Sequence, residues 1–122
     1  MANLQKTLPP DQVVATGKML RISPQKLNQV AALIRGKSIA EASNILAFSE
    51  KRIAKDVLKV LRTALHNAEN NFGMDGSSLQ IAEAYVGKNL TMKRFRARAR
   101  GRANRIVKPF SQITIIVQET AD

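Results

Sequence analysis

The chain contains no cysteine, which excludes disulfides, a thiolate metal site and a thiol nucleophile. Its one histidine, His66, cannot build a zinc cluster alone. Acids are few, nine in all, and scattered; Glu41 and Glu50 are accounted for by helix starts. Placed carboxylates for acid–base chemistry are missing, and so are Gly-rich phosphate loops of the Walker or dinucleotide type. The expectation is a protein that is not an enzyme and carries no cofactor or metal. Long apolar runs are absent too. The strictly apolar runs reach five residues, as at Val30-Ala31-Ala32-Leu33-Ile34. Ile113-Thr114-Ile115-Ile116-Val117, interrupted by its Thr, is no longer than that. A membrane span needs about 20 residues. The segment Met1-Ala2-Asn3-Leu4-Gln5-Lys6 has neither an apolar signal core nor an Arg-rich amphipathic leader, so a cytoplasmic location is expected.

What the chain does have is positive charge. Twenty Lys and Arg against nine Asp and Glu give a net charge of +11 in 122 residues, with an isoelectric point near 10.8. Such an excess calls for a polyanion, either nucleic acid or an anionic membrane. Apolar residues make up 44% of the chain, enough for the core of a single domain.

Residues 1–11, with Pro9-Pro10-Asp11, read as a flexible leader, residues 12–118 as one domain and 119–122 as a tail. Val13, Val14, Thr16, Leu20 and Ile22 carry a strand signal weakened by Gly17. Three helices follow. Ser23-Pro24 starts the first, Leu27, Val30, Ala31 and Ile34 give its apolar face, and Gly36 stops it. Ser38-Ile39-Ala40-Glu41 is a capping box for a short second helix ending near Phe48. Ser49 is the expected cap of the third and longest. Its apolar stripe is Ile53, Val57, Leu61, Ala64, Leu65, Ala68 and Phe72. Arg52, Lys55, Lys59 and Arg62 form a second, basic stripe, extended by His66. Gly73 ends the helix and Asp75-Gly76-Ser77-Ser78 reads as a turn. From Leu79 onward the pattern is strand. Early helices and late strands predict an α+β fold.

The excess charge is local. Lys88, Lys93, Arg94, Arg96, Arg98, Arg100, Arg102, Arg105 and Lys108 place nine of the basic residues within 21 positions, and no acid occurs between Glu83 and Glu119. Arginine recurs at every second position from Arg94 to Arg102, with Phe95, Ala97, Ala99, Gly101 and Ala103 between and beyond. At the strand period this yields an arginine face backed by small residues. The flanking β segments can pair if the chain reverses within 97–102; the midpoint of Tyr85 and Val117 is Gly101. An arm of about 14 residues at ~3.3 Å each would reach roughly 45 Å, against a radius of gyration of about 13 Å for a 100-residue domain. The expectation is three helices on a small antiparallel sheet, with a long hairpin protruding at about 88–108 and clamped by polyanion. Arginine suits this, since its planar fork binds phosphate and stacks on bases.

Several segments resemble one family in order: Arg21-Ile22-Ser23-Pro24-Gln25-Lys26, Leu33-Ile34-Arg35-Gly36-Lys37, Asn67-Ala68-Glu69-Asn70-Asn71, Phe95-Arg96-Ala97-Arg98-Ala99-Arg100-Gly101-Arg102-Ala103 and Ser111-Gln112-Ile113-Thr114. The chain resembles bacterial large-subunit ribosomal proteins of the L-twenty-two family over roughly 12–118. The resemblance implies a structural, non-enzymatic role in the large subunit, with the hairpin running through 23S ribosomal RNA. It implies that Arg98, Ala99, Arg100, Gly101 and Arg102 reach the nascent-peptide exit tunnel, facing ribosomal protein L-four. RNA contacts would come from the nine ribbon cations and from Arg21, Lys26, Arg35 and Lys37. Implied partners are 23S RNA, other large-subunit proteins and the nascent polypeptide, with no membrane and no homo-oligomer. Two positions depart from the family pattern: Ala97 where proline is frequent, and Gln112 where the family often has Ser-His-Ile-Thr. The competing reading is an architectural DNA-binding protein with β-ribbon arms. Such arms usually carry an apolar wedge such as proline, and 96–105 contains no proline.

Overall fold

Strands form where β-branched residues cluster, and helices where apolar residues recur every three to four positions. The structure, a computed structural model, describes residues 9–97 and 103–119, with side chains except at 89–97 and 103–108. Strands β1 (Gln12–Leu20), β2 (Leu79–Ala97) and β3 (Ala103–Glu119) make one antiparallel sheet in the order β1-β3-β2. Helices α1 (Pro24–Ile34), α2 (Ile39–Ala47) and α3 (Ala54–Phe72) pack against it. The expected α+β class, with three helices on a small antiparallel sheet, is what the chain adopts.

β3 is the central strand, and its residues from Ile113 to Val117 are buried without interruption. Ile113, Ile115 and Val117 join Val13 and Ala15 of β1 and Ile81 and Ala84 of β2 in the core beneath the helices. From the helices, Leu27, Ile34, Leu46, Val57 and Leu61 complete it, each at most 1% exposed.

The caps fix the helix starts. Ser23 Oγ accepts from the Lys26 amide, and Pro24 opens α1. Ser38 Oγ accepts from the Glu41 amide, one half of the expected box, while the Ser38 backbone bridges to Gln80. Gly36 and Gly73 sit at φ +74° and +64° beyond α1 and α3, where a side chain would be strained.

The third helix begins later than its sequence suggests. Ser49 Oγ accepts from the Lys51 amide, closing a local turn, and the helix opens at Ala54 behind Ile53, which makes no side-chain capping bond. A serine can serve a tight turn as readily as a helix cap. At the other end, Phe72 of the apolar stripe is 47% exposed, because the core beneath α3 ends at Ala68 and Met74. The expected turn at Asp75–Ser78 contains a short 3-10 helix, Gly76–Ser78.

Candidate nucleic-acid interface

The ribbon departs from the sheet at one level. β1 pairs with β3 as far as Leu20↔Ser111, and β2 reaches the same level with Lys88↔Ser111. Beyond it β2 and β3 continue alone for eight pairs, from Leu90↔Phe110 to Ala97↔Ala103. Nine residues of β2, 89–97, carry this two-stranded stretch about 30 Å at the strand rise. No third strand flanks it among the described residues. The turn expected within 97–102 is bounded by the Ala97↔Ala103 pair. The tip residues Arg98, Ala99, Arg100, Gly101 and Arg102 lie outside the described residues.

Two register shifts alter the geometry read from spacing alone. β2 carries an extra residue between Ile81 and Glu83 and another between Lys88 and Leu90. Tyr85 therefore pairs with Thr114, and the last described pair is symmetric about position 100 instead of Gly101. The second bulge falls where the ribbon leaves the body; an extra residue there bends the strand and sharpens its twist. Pairing also distributes the cations. Arg94 and Arg96 lie opposite Ile106 and Asn104, and share a face with Lys108, paired to Met92. Lys93 and Arg105, paired to Val107 and Phe95, take the other face. A single arginine face backed by small residues describes one strand; across the pair, both faces are basic.

At the body the predicted cations have different fates. Arg21 is exposed at the ribbon's base, and Lys26 and Lys37 are exposed on and after α1. Arg35 is partly engaged internally: its Nε donates to the Ala84 carbonyl at 2.7 Å and an Nη to Asn28 Oδ1 at 2.5 Å. It thereby ties α1 to β2. Lys55, Lys59, Arg62 and His66 are exposed along the solvent side of α3. Among the described residues no Lys or Arg is paired with a carboxylate. Across the described residues the positive charge is therefore left uncancelled by ion pairs, which suits a polyanion-binding surface. The acid Asp75 is held below its usual value by hydrogen bonds from the Ser77 amide and then its hydroxyl; this is turn chemistry.

Two features escaped the sequence reading. Lys51 joins the basic surface, its Nζ reaching Gln29 Oε1 at 3.4 Å. Ser111, fully buried, donates from Oγ to the Ile22 carbonyl at 2.6 Å, fastening the Arg21–Ile22 loop to the ribbon's base. No local signal marks a serine in a strand for such a bond. No described helix is long and apolar enough to cross a membrane, and no described cluster of His or acids could hold a metal.

A sequence profile of ribosomal protein L22p/L17e matches residues 15–118. The chain belongs to that family. The large ribosomal subunit protein uL22 of Maricaulis maris is 61% identical over 105 residues, covering 86% of this chain and 83% of its own. The uL22 of Caulobacter vibrioides is 55% identical over 118 residues (97% and 94%), and that of Agrobacterium fabrum 54% over 121 (99% and 94%). As a uL22 protein the chain is an rRNA-binding structural constituent of the large ribosomal subunit and not an enzyme. It works in the cytoplasm, in the ribosome. The DNA-arm reading is set aside by this membership.

Proposed function

We propose that the ribbon is the principal RNA anchor, threading 23S ribosomal RNA with both faces and presenting 98–102 to the nascent-peptide exit tunnel opposite ribosomal protein L-four. The observation that carries this reading is the eight-pair two-stranded stretch beyond Ser111. An isolated two-stranded ribbon is marginal in water, and this one repels itself. It gains order when phosphates lie against both faces, and Arg94, Arg96 and Lys108 on one face with Lys93 and Arg105 on the other suit that placement. At the turn, cations on a convex end cannot all meet phosphates, so one or more of Arg98, Arg100 and Arg102 projects into water and acts on the passing chain.

Titration of 23S RNA against salt tests the anchor. If nine cations each neutralised one phosphate, the logarithmic slope would be about −8 by the duplex relation, an upper bound for folded RNA. Replacing Arg94, Arg96 and Arg98 by Gln flattens it by two to three units at roughly one per contact. An unchanged slope would move the main binding face to the body.

A further inference from the structure

We infer that the base of the hairpin holds a second, base-reading RNA site: a groove that takes one unstacked guanine nucleotide, its base on Ile22 and Ile53, its flanking phosphates on Arg21 and Arg52, and its Watson–Crick edge on Asp56. This rests on the chain's rRNA-binding role and adds a site apart from the ribbon.

The groove is built from three parts of the chain: the end of β1, the loop before α1 and the first turn of α3. Its volume is about 570 Å³, and a second recess of about 340 Å³ shares Ile22, Arg52 and Ile53 with it. Small-ligand sites commonly span about 300–1,000 Å³, so one nucleotide fits. The floor is apolar: Ile53 is buried, Ile22 partly so. Arg21 and Arg52, both exposed on the rim, are unpaired with any described carboxylate. Apolar floor and cationic rim together match a splayed-out nucleotide, whose base sheds water while its phosphates keep their charge.

Two further observations set this groove apart from a solvated basic patch. Met19, on its wall, sits at φ +59° where β1 carries an extra residue against β3 between Gly17 and Leu20, and is 46% exposed. A bulge re-aims a side chain, and this one sets an exposed apolar side chain on the groove wall. The loop is also held in place by the Ser111 Oγ bond to the Ile22 carbonyl. The acid decides the base. A carboxylate among phosphate-binding arginines opposes phosphate, yet Asp56 lines the groove, half-buried. A carboxylate accepts two parallel N–H donors, and guanine alone among the four bases offers neighbouring N1–H and N2–H₂ donors on its pairing edge.

Asp56→Asn separates base reading from simple attraction. The substitution makes a basic protein more basic, so a groove that only attracts phosphates binds large-subunit rRNA more tightly. A guanine site binds it about tenfold more weakly, and Asp56→Glu restores most of the loss. Kethoxal, which modifies guanine at N1 and N2, supplies the second readout on the full chain bound to deproteinised large-subunit rRNA. A guanine protected by the wild type becomes reactive with Asp56→Asn and with Arg21→Gln plus Arg52→Gln. Because the chain lacks cysteine, a hydroxyl-radical source tethered at Lys26→Cys cuts only around its own site, and the same guanine lies at that centre. The arginine pair is exposed, so its effect can be read even if Asp56→Asn fails to fold. Tighter binding by Asp56→Asn, or no guanine answering to both probes, overturns the site while leaving RNA binding intact. A wild-type chain without rRNA affinity overturns both.

Discussion

Gly17→Ala is the most informative single perturbation of the body. A Cβ built on Gly17 would lie 2.4 Å from Val60 Cγ2 and 3.5 Å from Ile113 Cγ2. Ordinary carbon contacts need about 3.5–4.0 Å, so β1 and α3 would have to separate by more than 1 Å, roughly. Val60 is β-branched, and its methyl cannot swing clear as the end of a long side chain could. Overpacking of this kind costs about 1–3 kcal/mol. Alanine recovers about 0.4–1 kcal/mol by restricting the unfolded chain; with a clash this short the overpacking cost falls in the upper half of its range, leaving a net loss of about 1–2 kcal/mol. For a body of this size that lowers Tm by roughly 5–15 °C at 4–8 °C per kcal/mol. Urea unfolding monitored by circular dichroism measures the loss. Val60→Ala removes the clashing methyl, so the double variant should be more stable than the two single losses predict, by about 1 kcal/mol or more of coupling. A Gly17→Ala variant as stable as wild type, or a double variant whose losses simply add, would refute the close approach of α3 to β1.

Gly76→Ala, by contrast, meets Glu69 Oε1 and Leu65 Cδ1, both at the free ends of flexible side chains, and should change stability by less than about 0.5 kcal/mol in the same assay. Replacing residues 90–105 by a short Gly-containing turn should leave the helices and a cooperative melt, since the core cluster of the described residues is already built from Val13 to Ala84 and from Ile113 to Val117; a molten product would mean the ribbon completes the core. Arg94→Ala with Arg105→Ala should weaken large-subunit assembly in sucrose gradients, whereas Arg100→Ala with Arg102→Ala should spare assembly and alter nascent-chain stalling; the opposite pattern would remove the division between shaft and tip. The depressed Asp75 carboxyl contributes stability above its unfolded value of 3.8 that is lost as pH falls through its lower folded value. Asp75→Asn should therefore remove that contribution at neutral pH and flatten the pH dependence only below about pH 4; a change of slope near neutrality would implicate another group.

Local spacing was enough for much of this protein. Ser23-Pro24, the buried Leu27/Val30/Ala31/Ile34 face and the stop at Gly36 are written within one or two helical turns, so short-range geometry reveals them. The alternating arginines likewise announce a strand, and the scarcity of acids around them announces its partner. Ser49 misleads because a serine's local bonds serve turns and caps alike. The rest depends on residues that are distant in sequence. The extra residues in β2 are set by how three strands must meet, so no midpoint in the sequence locates the end of the ribbon or shows that Lys93 and Arg105 share a face. Arg35 carries the same charge as Arg21, but folding brings the Ala84 carbonyl to its guanidinium and leaves Arg21 on the rim of a groove. Gly17 reads as a weak point in a strand until α3 is packed against it. The charge and the periods belong to the sequence; which cations stay free, and which converge around Asp56, depends on backbone register and packing, which bring together segments far apart in the chain, as Ser111 and Ile22 are, 89 positions from one another.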